Sequence, residues 1–161
     1  MALFSNTNGL DPSRRLPYLP TNFRGDLQIT VCKHISGEKG QAFVAEFKIL
    51  SSNLPAVEVG AEYSWYQKIE QGKRSETGAR AVINLLYALM GLDPAKDAVK
   101  IDKDVKPQQD NLLNSLVDEI KNPAAGAKVH VQTLAKPLRD DPSKVFTVHT
   151  FSPYVAPQVA A

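Results

Sequence analysis

Two runs of alternating side chains, separated by a Ser/Asn/Pro-rich break, constrain this chain more than any other feature. In AFVAEFKIL (42–50), Phe43, Ala45, Phe47 and Ile49 alternate with Val44, Glu46, Lys48 and Leu50. In EYSWYQKI (62–69), Tyr63, Trp65, Gln67 and Ile69 alternate with Glu62, Ser64, Tyr66 and Lys68. A period of two sends successive side chains to opposite sheet faces, so each run reads as a strand with one apolar face. Between them Ser51 to Gly60 turns, with Pro55 breaking the pairing. The other elements are expected to close around this pair as a barrel.

Residues 1–25 hold Pro12, Pro17 and Pro20 without helical or strand period, and read as an extended arm. Leu16, Tyr18, Leu19 and Phe23 are costly to leave in water and are expected to lie along the domain, while Arg14, Arg15 and Arg24 make the arm basic. The first strand, Asp26 to Lys33, places Leu27, Ile29 and Val31 on one face and Gln28, Thr30 and Cys32 on the other. Gly37 and Gly40 allow a turn straight into the 42–50 strand, which makes a three-stranded meander. From about residue 75 the period becomes helical, with Ala79, Val82, Ile83, Leu86, Tyr87 and Met90 on one stripe and Gly91 and Pro94 as stop signals. A polar stretch to Lys106 precedes a second helix opened by Pro107, with Leu112, Leu113, Leu116, Val117 and Ile120 as its apolar face. Lys128 to Leu134 and Val145 to Phe151 are the last two strands. The domain is expected to cover 26–151, with a helical insertion over about 75–122 and a proline-interrupted tail at 152–161.

At 161 residues with 43% hydrophobic and 22% charged residues, the chain suits one globular domain. It contains no apolar run of membrane-spanning length and no secretion-type start, which predicts no membrane association and a cytoplasmic location. A single cysteine, Cys32, excludes an internal disulfide and a thiolate zinc cluster. Parity lets Cys32, His34, His130 and His149 face outward on neighbouring strands, but their spacing matches no metal motif, so no metal and no cofactor is expected. Phosphate-binding glycine loops and nucleophile elbows are missing, and Glu46 and Glu62 are isolated strand carboxylates, which points to a binder rather than an enzyme. The net charge of +2 is unevenly spread. Residues 93–120 hold seven acids against four lysines, a net of −3 that leaves +5 elsewhere. A basic barrel with an acidic excursion suits a polyanion, and a solvated mixed-charge surface gives the same count.

The order of three meandering strands, a helical insertion and a closing hairpin is mainly β with added α. It predicts an OB-fold, a five-stranded Greek-key barrel with helices between strands three and four, with an SH3-like barrel as competitor. The runs GDLQITVCKHISGEKGQAFVAEFKILSS, VGAEYSWYQKI, RAVINLLYALMGLDP, GAKVHVQTLAKP and KVFTVHTFSPY resemble small bacteriophage OB-fold proteins, including phage single-stranded DNA-binding proteins. The resemblance implies coating of single-stranded DNA in the host cytoplasm during replication or recombination, alongside phage replication or recombination proteins, and leaves a homo-oligomer open. The chain departs from many such proteins in ending SPYVAPQVAA, without an acid to recruit partners.

Single-stranded DNA requires rings on which bases stack and cations that follow the phosphates. On this fold the expected site is the face of strands two and three with the flanking hairpins. The candidates are Tyr66, Trp65, Lys48 and Lys68, then Lys33, His34 and Lys39 from the first hairpin, Lys73 and Arg74 after strand three, and Arg139 and Lys144 from the last hairpin. Trp65 shares the apolar parity of Phe43, which favours the core, whereas Tyr66 sits on the polar parity and is the better stacking residue. The competing reading is a protein-interaction or virion component on the same barrel. Open space around Tyr66, Lys48 and Lys68 favours DNA, and cover by residues 1–25 or the second helix favours the competitor.

Overall fold

The computed structural model describes residues 16–37, 40–69, 75–137 and 141–155. Its strands are β1 (Arg24–Gly37), β2 (Gly40–Ile49), β3 (Glu62–Lys68), β4 (Lys128–Pro137) and β5 (Val145–Pro153), with helices α1 (Ser75–Leu89) and α2 (Gln109–Leu116) between β3 and β4. The strands form one antiparallel five-stranded sheet in the order β3-β2-β1-β4-β5. The fourth strand returns to lie beside the first, and both helices lie in the expected insertion between β3 and β4, the second shorter than expected. Strand lengths differ from the expectation. β1 begins two residues earlier, at Arg24, and the β1–β2 ladder continues to Gly37↔Gly40.

β1 carries the largest correction. Its pairing with β2 shifts register between Ile29 and Val31, leaving Thr30 as an extra residue. One extra residue reverses the alternation of everything after it. Leu27 and Ile29 are buried as expected, but beyond Thr30 the fully buried residue is Cys32 rather than Val31. The bulge is fastened on both sides, because the Thr30 hydroxyl donates to the Glu46 carbonyl at 2.9 Å and Asn122 Nδ2 donates to the Thr30 carbonyl at 2.9 Å.

The inner face of the sheet builds the core. Phe43, Phe47, Leu27, Ile29, Val129 and Val131 are buried, and α1 covers them with Val82, Leu85 and Leu86. Among the described residues no ladder joins β3 to β5. Side chains span the gap instead, with the Trp65 ring 4.8 Å from Phe151 and 5.8 Å from His149, and Phe43 packs on Trp65 in a T-shaped pair at 5.7 Å, all centroid to centroid.

α1 is buried on two sides. Besides its sheet-facing stripe it sends Tyr87 into a smaller cluster with Leu92, Ile101 and Val105. The segment expected to be a polar linker supplies that cluster through an α-turn (Ala98–Lys100), a π-turn (Ile101–Val105) and a 3-10 turn (Lys106–Gln108) that contains Pro107. Tyr87 ties the two helices by donating its hydroxyl hydrogen to Gln109 Oε1 at 2.7 Å. α1 ends as expected at Gly91 (φ 74°), where the Leu92 amide reaches back to the Tyr87 carbonyl at 2.8 Å. Met90 and Ile120, expected on apolar faces, are exposed, Met90 just past the end of α1 and Ile120 at 97% beyond the end of α2 at Leu116. No helix among the described residues is long and apolar enough to cross a membrane.

Residues 16–23 form a strap that runs from β3 to β4. At one end the Ser64 amide donates to the Pro17 carbonyl (2.8 Å) and the Ser64 hydroxyl to the Leu16 carbonyl (2.9 Å). At the other, buried Thr133 exchanges backbone bonds with Asn22 and Phe23, while its hydroxyl accepts from the Phe23 amide (2.9 Å) and donates to the Pro20 carbonyl (2.6 Å). Leu19 and Phe23 reach the core, as expected of this arm, while Tyr18 stays exposed.

Where the strap joins β1, Gly25 packs against the 51–53 turn so closely that an added Cβ would overlap the Ser51 carbonyl oxygen and lie 2.8 Å from Phe23 Cζ. Both neighbours are fixed, one backbone and one fully buried ring. Gly25→Ala is therefore expected to destabilise the fold by about 3 kcal/mol or more, read from urea unfolding; an unchanged midpoint contradicts this packing.

Candidate nucleic-acid interface

Cross-strand partners share a sheet face, so the ladders specify which side chains stand together on the outer side. One row across the sheet is Tyr66 on β3, Val44 on β2 and Lys33 on β1. Lys68 follows two residues along β3, opposite Ala42, whose β1 partner is the exposed Ile35. Lys48 lies at the other end, between Glu62 and Gln28. Tyr66 keeps 43% of its surface exposed, and Lys48 and Lys68 are exposed. Adjacent strands lie about 4.8 Å apart and alternate residues about 7 Å apart, so the patch is roughly 10 Å by 20 Å.

The bulge decides which of the first-hairpin candidates belong here. An unbroken alternation would put His34 on the outer face and Lys33 inside; the extra Thr30 exchanges them. Lys33 is thereby outside, with Nζ 3.6 Å from Glu46 Oε1. His34 pairs with inward-facing Phe43 and lies on the helix side, its Nε2 3.3 Å from Gln41 Oε1. Trp65 is corrected as well. At 3% exposed, wedged among Phe43, His149 and Phe151, it has no free face for a base. Its parity with Phe43 had already favoured the core.

Lys144 stands apart, exposed just before β5. It lies at the tip of a two-stranded ribbon, which forms because β4 pairs with β1 only as far as Gln132, whereas β4 and β5 continue to Pro137↔Val145. On this ribbon Leu134 and Phe146 are exposed, and Lys136 sits directly opposite Phe146. Lys39, Lys73, Arg74 and Arg139 lie outside the described residues.

Charge in the patch around Tyr66 is nearly balanced. Glu46 pairs with Lys33, and Glu62 sits across from Lys48, so three lysines meet two carboxylates there among the described residues. Arg24, Asp26 and Lys128 continue the outer face onto β1 and β4. The strap meets β3 at Ser64, which is buried, and among the described residues Tyr66, Lys48 and Lys68 stay exposed. α2 packs on the opposite side, where Leu113, Val82, Ile83 and Phe43 line a half-open apolar groove of about 550 Å³ with His34, Asp110 and Asn114 at its polar positions.

The four residues weighed as metal ligands are dispersed. Cys32 is in the core, and burial pushes its thiol up to about 12. His130 is on the outer face with Nδ1 3.0 Å from Asp26 Oδ1, and Asp26 Oδ2 accepts from the Ser51 hydroxyl at 3.0 Å. His149 faces inward opposite Thr133, both ring nitrogens buried without a partner, and burial pulls its pKa down to about 4. Among the described residues no three of His, Cys, Asp and Glu gather in a metal-binding group.

Sequence reasoning missed two exposed rings. Tyr18 was grouped with the apolar residues of the arm, and only the Tyr18/Leu19 alternation beside Pro17 and Pro20 hints that it faces out. Phe146 shares a face with Val148 and Thr150, opposite Val145, Thr147, His149 and Phe151, and since both sets mix apolar and polar residues the pattern does not say which is inside. Compared with known proteins, the chain matches no family model and no curated sequence.

The buried imidazole gives a pH prediction with a definite sign. His149 is held neutral in the fold, so its contribution is complete above the unfolded-state value near 6.5 and is lost as pH falls toward about 4. Unfolding free energy is expected to drop by about 2 kcal/mol between pH 7 and pH 4.5 through this group, and His149→Phe to remove that part. Equal losses in both proteins count against it.

Proposed function

We propose that this chain binds single-stranded DNA with little sequence preference, as a phage-type OB-fold protein acting in replication or recombination in the host cytoplasm, and that it is a binder without catalysis. The observation that carries the reading is the outer-face row itself: an exposed tyrosine ring within two strand spacings of Lys33, with Lys68 next along the same strand. A ring takes a base by its face and a nearby lysine takes the flanking phosphate, whatever the sequence.

The strand order supports this reading without being needed for it. The order β3-β2-β1-β4-β5 is that of a five-stranded Greek key opened between β3 and β5, and the Trp65–Phe151–His149 contact joins those two strands by side chains. On such a barrel the outer surface of β2 and β3 is where oligonucleotides bind. The ribbon of β4 and β5, with Phe146, Lys136 and Lys144, flanks it. The second reading is an OB-fold interaction or virion component that does not bind DNA, and the apolar groove behind the sheet is the observation in its favour.

The test is fluorescence anisotropy of a labelled oligo-dT of about 30 nucleotides at several salt concentrations, with duplex of equal length as competitor. Three lysines set the expected log–log salt slope at about −2, since each phosphate contact on a single strand contributes about −0.7. Tyr66→Ala is expected to weaken binding about tenfold while Tyr66→Phe keeps it, as stacking on one ring contributes about 1–3 kcal/mol. A slope steeper than about −3 means that cations beyond this face take part. Failure of the wild-type protein to bind at low salt overturns the proposal and turns attention to the groove.

A further inference from the structure

We infer that the strap supplies a second stacking ring, Tyr18, so that the binding face accommodates two neighbouring unpaired bases and is complete only while residues 16–23 are docked. This rests on the single-stranded nucleic acid reading above and names a part of that site which the strand pattern does not contain.

Three observations carry it. First, Tyr18 pairs with Ser64 in a parallel bridge, and paired residues in a sheet share a face. Ser64 is on the same parity as Tyr66, so Tyr18 and Tyr66 are diagonal neighbours on the outer face. Such neighbours lie about 7–8 Å apart, about twice the 3.4 Å base step of a nucleic acid strand. Second, Tyr18 is exposed at 51% although the backbone around it is tightly held. Leu16 and Pro17 accept hydrogen bonds from Ser64, Leu19 next to it is 3% exposed, and Pro20 accepts from Thr133. The ring is presented by a fixed backbone rather than left over on a loose one, so binding to it costs little ordering entropy. Third, neither ring is used up inside the protein. The aromatic cluster of the core consists of Phe43, Trp65, His149 and Phe151, and the one described cation over a ring is Lys128 over Tyr154.

Sheet-borne pairs of aromatic residues are a general way to hold successive bases of a single strand, because each ring accepts any base by its face. The near-balanced charge of this patch places more of the binding on such stacking than on phosphates. Here the second ring comes from outside the sheet, fastened to β3 through Ser64 and to β4 through Thr133.

The experiment compares labelled oligo-dT with an oligonucleotide of the same length made of abasic sites, titrated with wild type, Tyr18→Ala, Tyr18→Phe and Tyr66→Ala. Expected for oligo-dT are a loss of 5- to 50-fold for Tyr18→Ala and a change within about twofold for Tyr18→Phe, with thermal midpoints unchanged. On the abasic strand the Tyr18→Ala penalty is expected to vanish, because there is no base to stack; a loosened strap would weaken both probes alike. If Tyr66→Ala weakens oligo-dT binding and Tyr18→Ala does not, the inference is overturned while the DNA reading stands. Equal losses for Tyr18→Ala and Tyr18→Phe overturn it too, since the ring is then not the binding element. No wild-type binding to oligo-dT overturns both.

Discussion

Everything in this molecule hangs on β1 pairing along both of its edges. It meets β2 over nearly its whole length and β4 over Arg24 to Gln28, and the pairing geometry changes between the two at Thr30. A straight strand would carry its apolar face out of the core where the ladders part. The bulge turns it back, bending the strand and restoring an inward residue at Cys32. The polar cost of breaking the ladder is met locally: Ile29 exchanges hydrogen bonds of 2.8 Å with Ala127 and Gly126, and the Thr30 carbonyl is taken by Asn122. Buried or half-buried backbone groups left without partners cost on the order of 1–3 kcal/mol each, so these bonds are what allow the irregularity to persist.

The strap answers a second constraint, the free edge of β3. An edge strand rich in aromatic residues invites pairing with other chains, and β5 does not cover this one with a ladder. Residues 16–18 do so at Ser64. The anchor at the far end is stronger, since Thr133 is wholly buried and satisfies both its backbone groups and its hydroxyl on strap residues. Each such bond contributes about 1 kcal/mol net, and burial of Phe23 and Leu19 adds about 2 kcal/mol apiece. The strap is thus a part of the fold.

The strands, their order and the helical insertion were legible in the sequence because period-two runs bounded by Gly and Pro leave few alternatives. What escaped was anything set by tertiary contact. The bulge follows from β1 serving two partners, and nothing in DLQITVCKH announces an extra residue; the faces of Val31, Cys32 and His34 were therefore misassigned together. Residues 98–108 looked polar because Ile101 and Val105 are set among Lys100, Asp102, Lys103, Asp104 and Lys106, and it is the contact with Tyr87 and Leu92 that buries them. Of the candidate site, Tyr66, Lys48 and Lys68 could be placed by parity alone. Tyr18 could not, because a proline-interrupted arm has no period from which a face can be read.

A nearly neutral face suits a single strand better than a duplex for a physical reason. Duplex DNA hides its bases and offers a protein mainly its phosphates, so a surface holds it largely in proportion to cations. A patch whose described residues are three lysines, two carboxylates beside them and exposed rings has little to offer a duplex backbone. A single strand presents base faces that can leave water against those rings, and it needs only enough cationic charge to offset the phosphates between them. On the proposed reading, Glu46 and Glu62 therefore do not weaken the site so much as choose its ligand: they remove charge that a duplex would use and leave the stacking that only an unpaired strand can exploit.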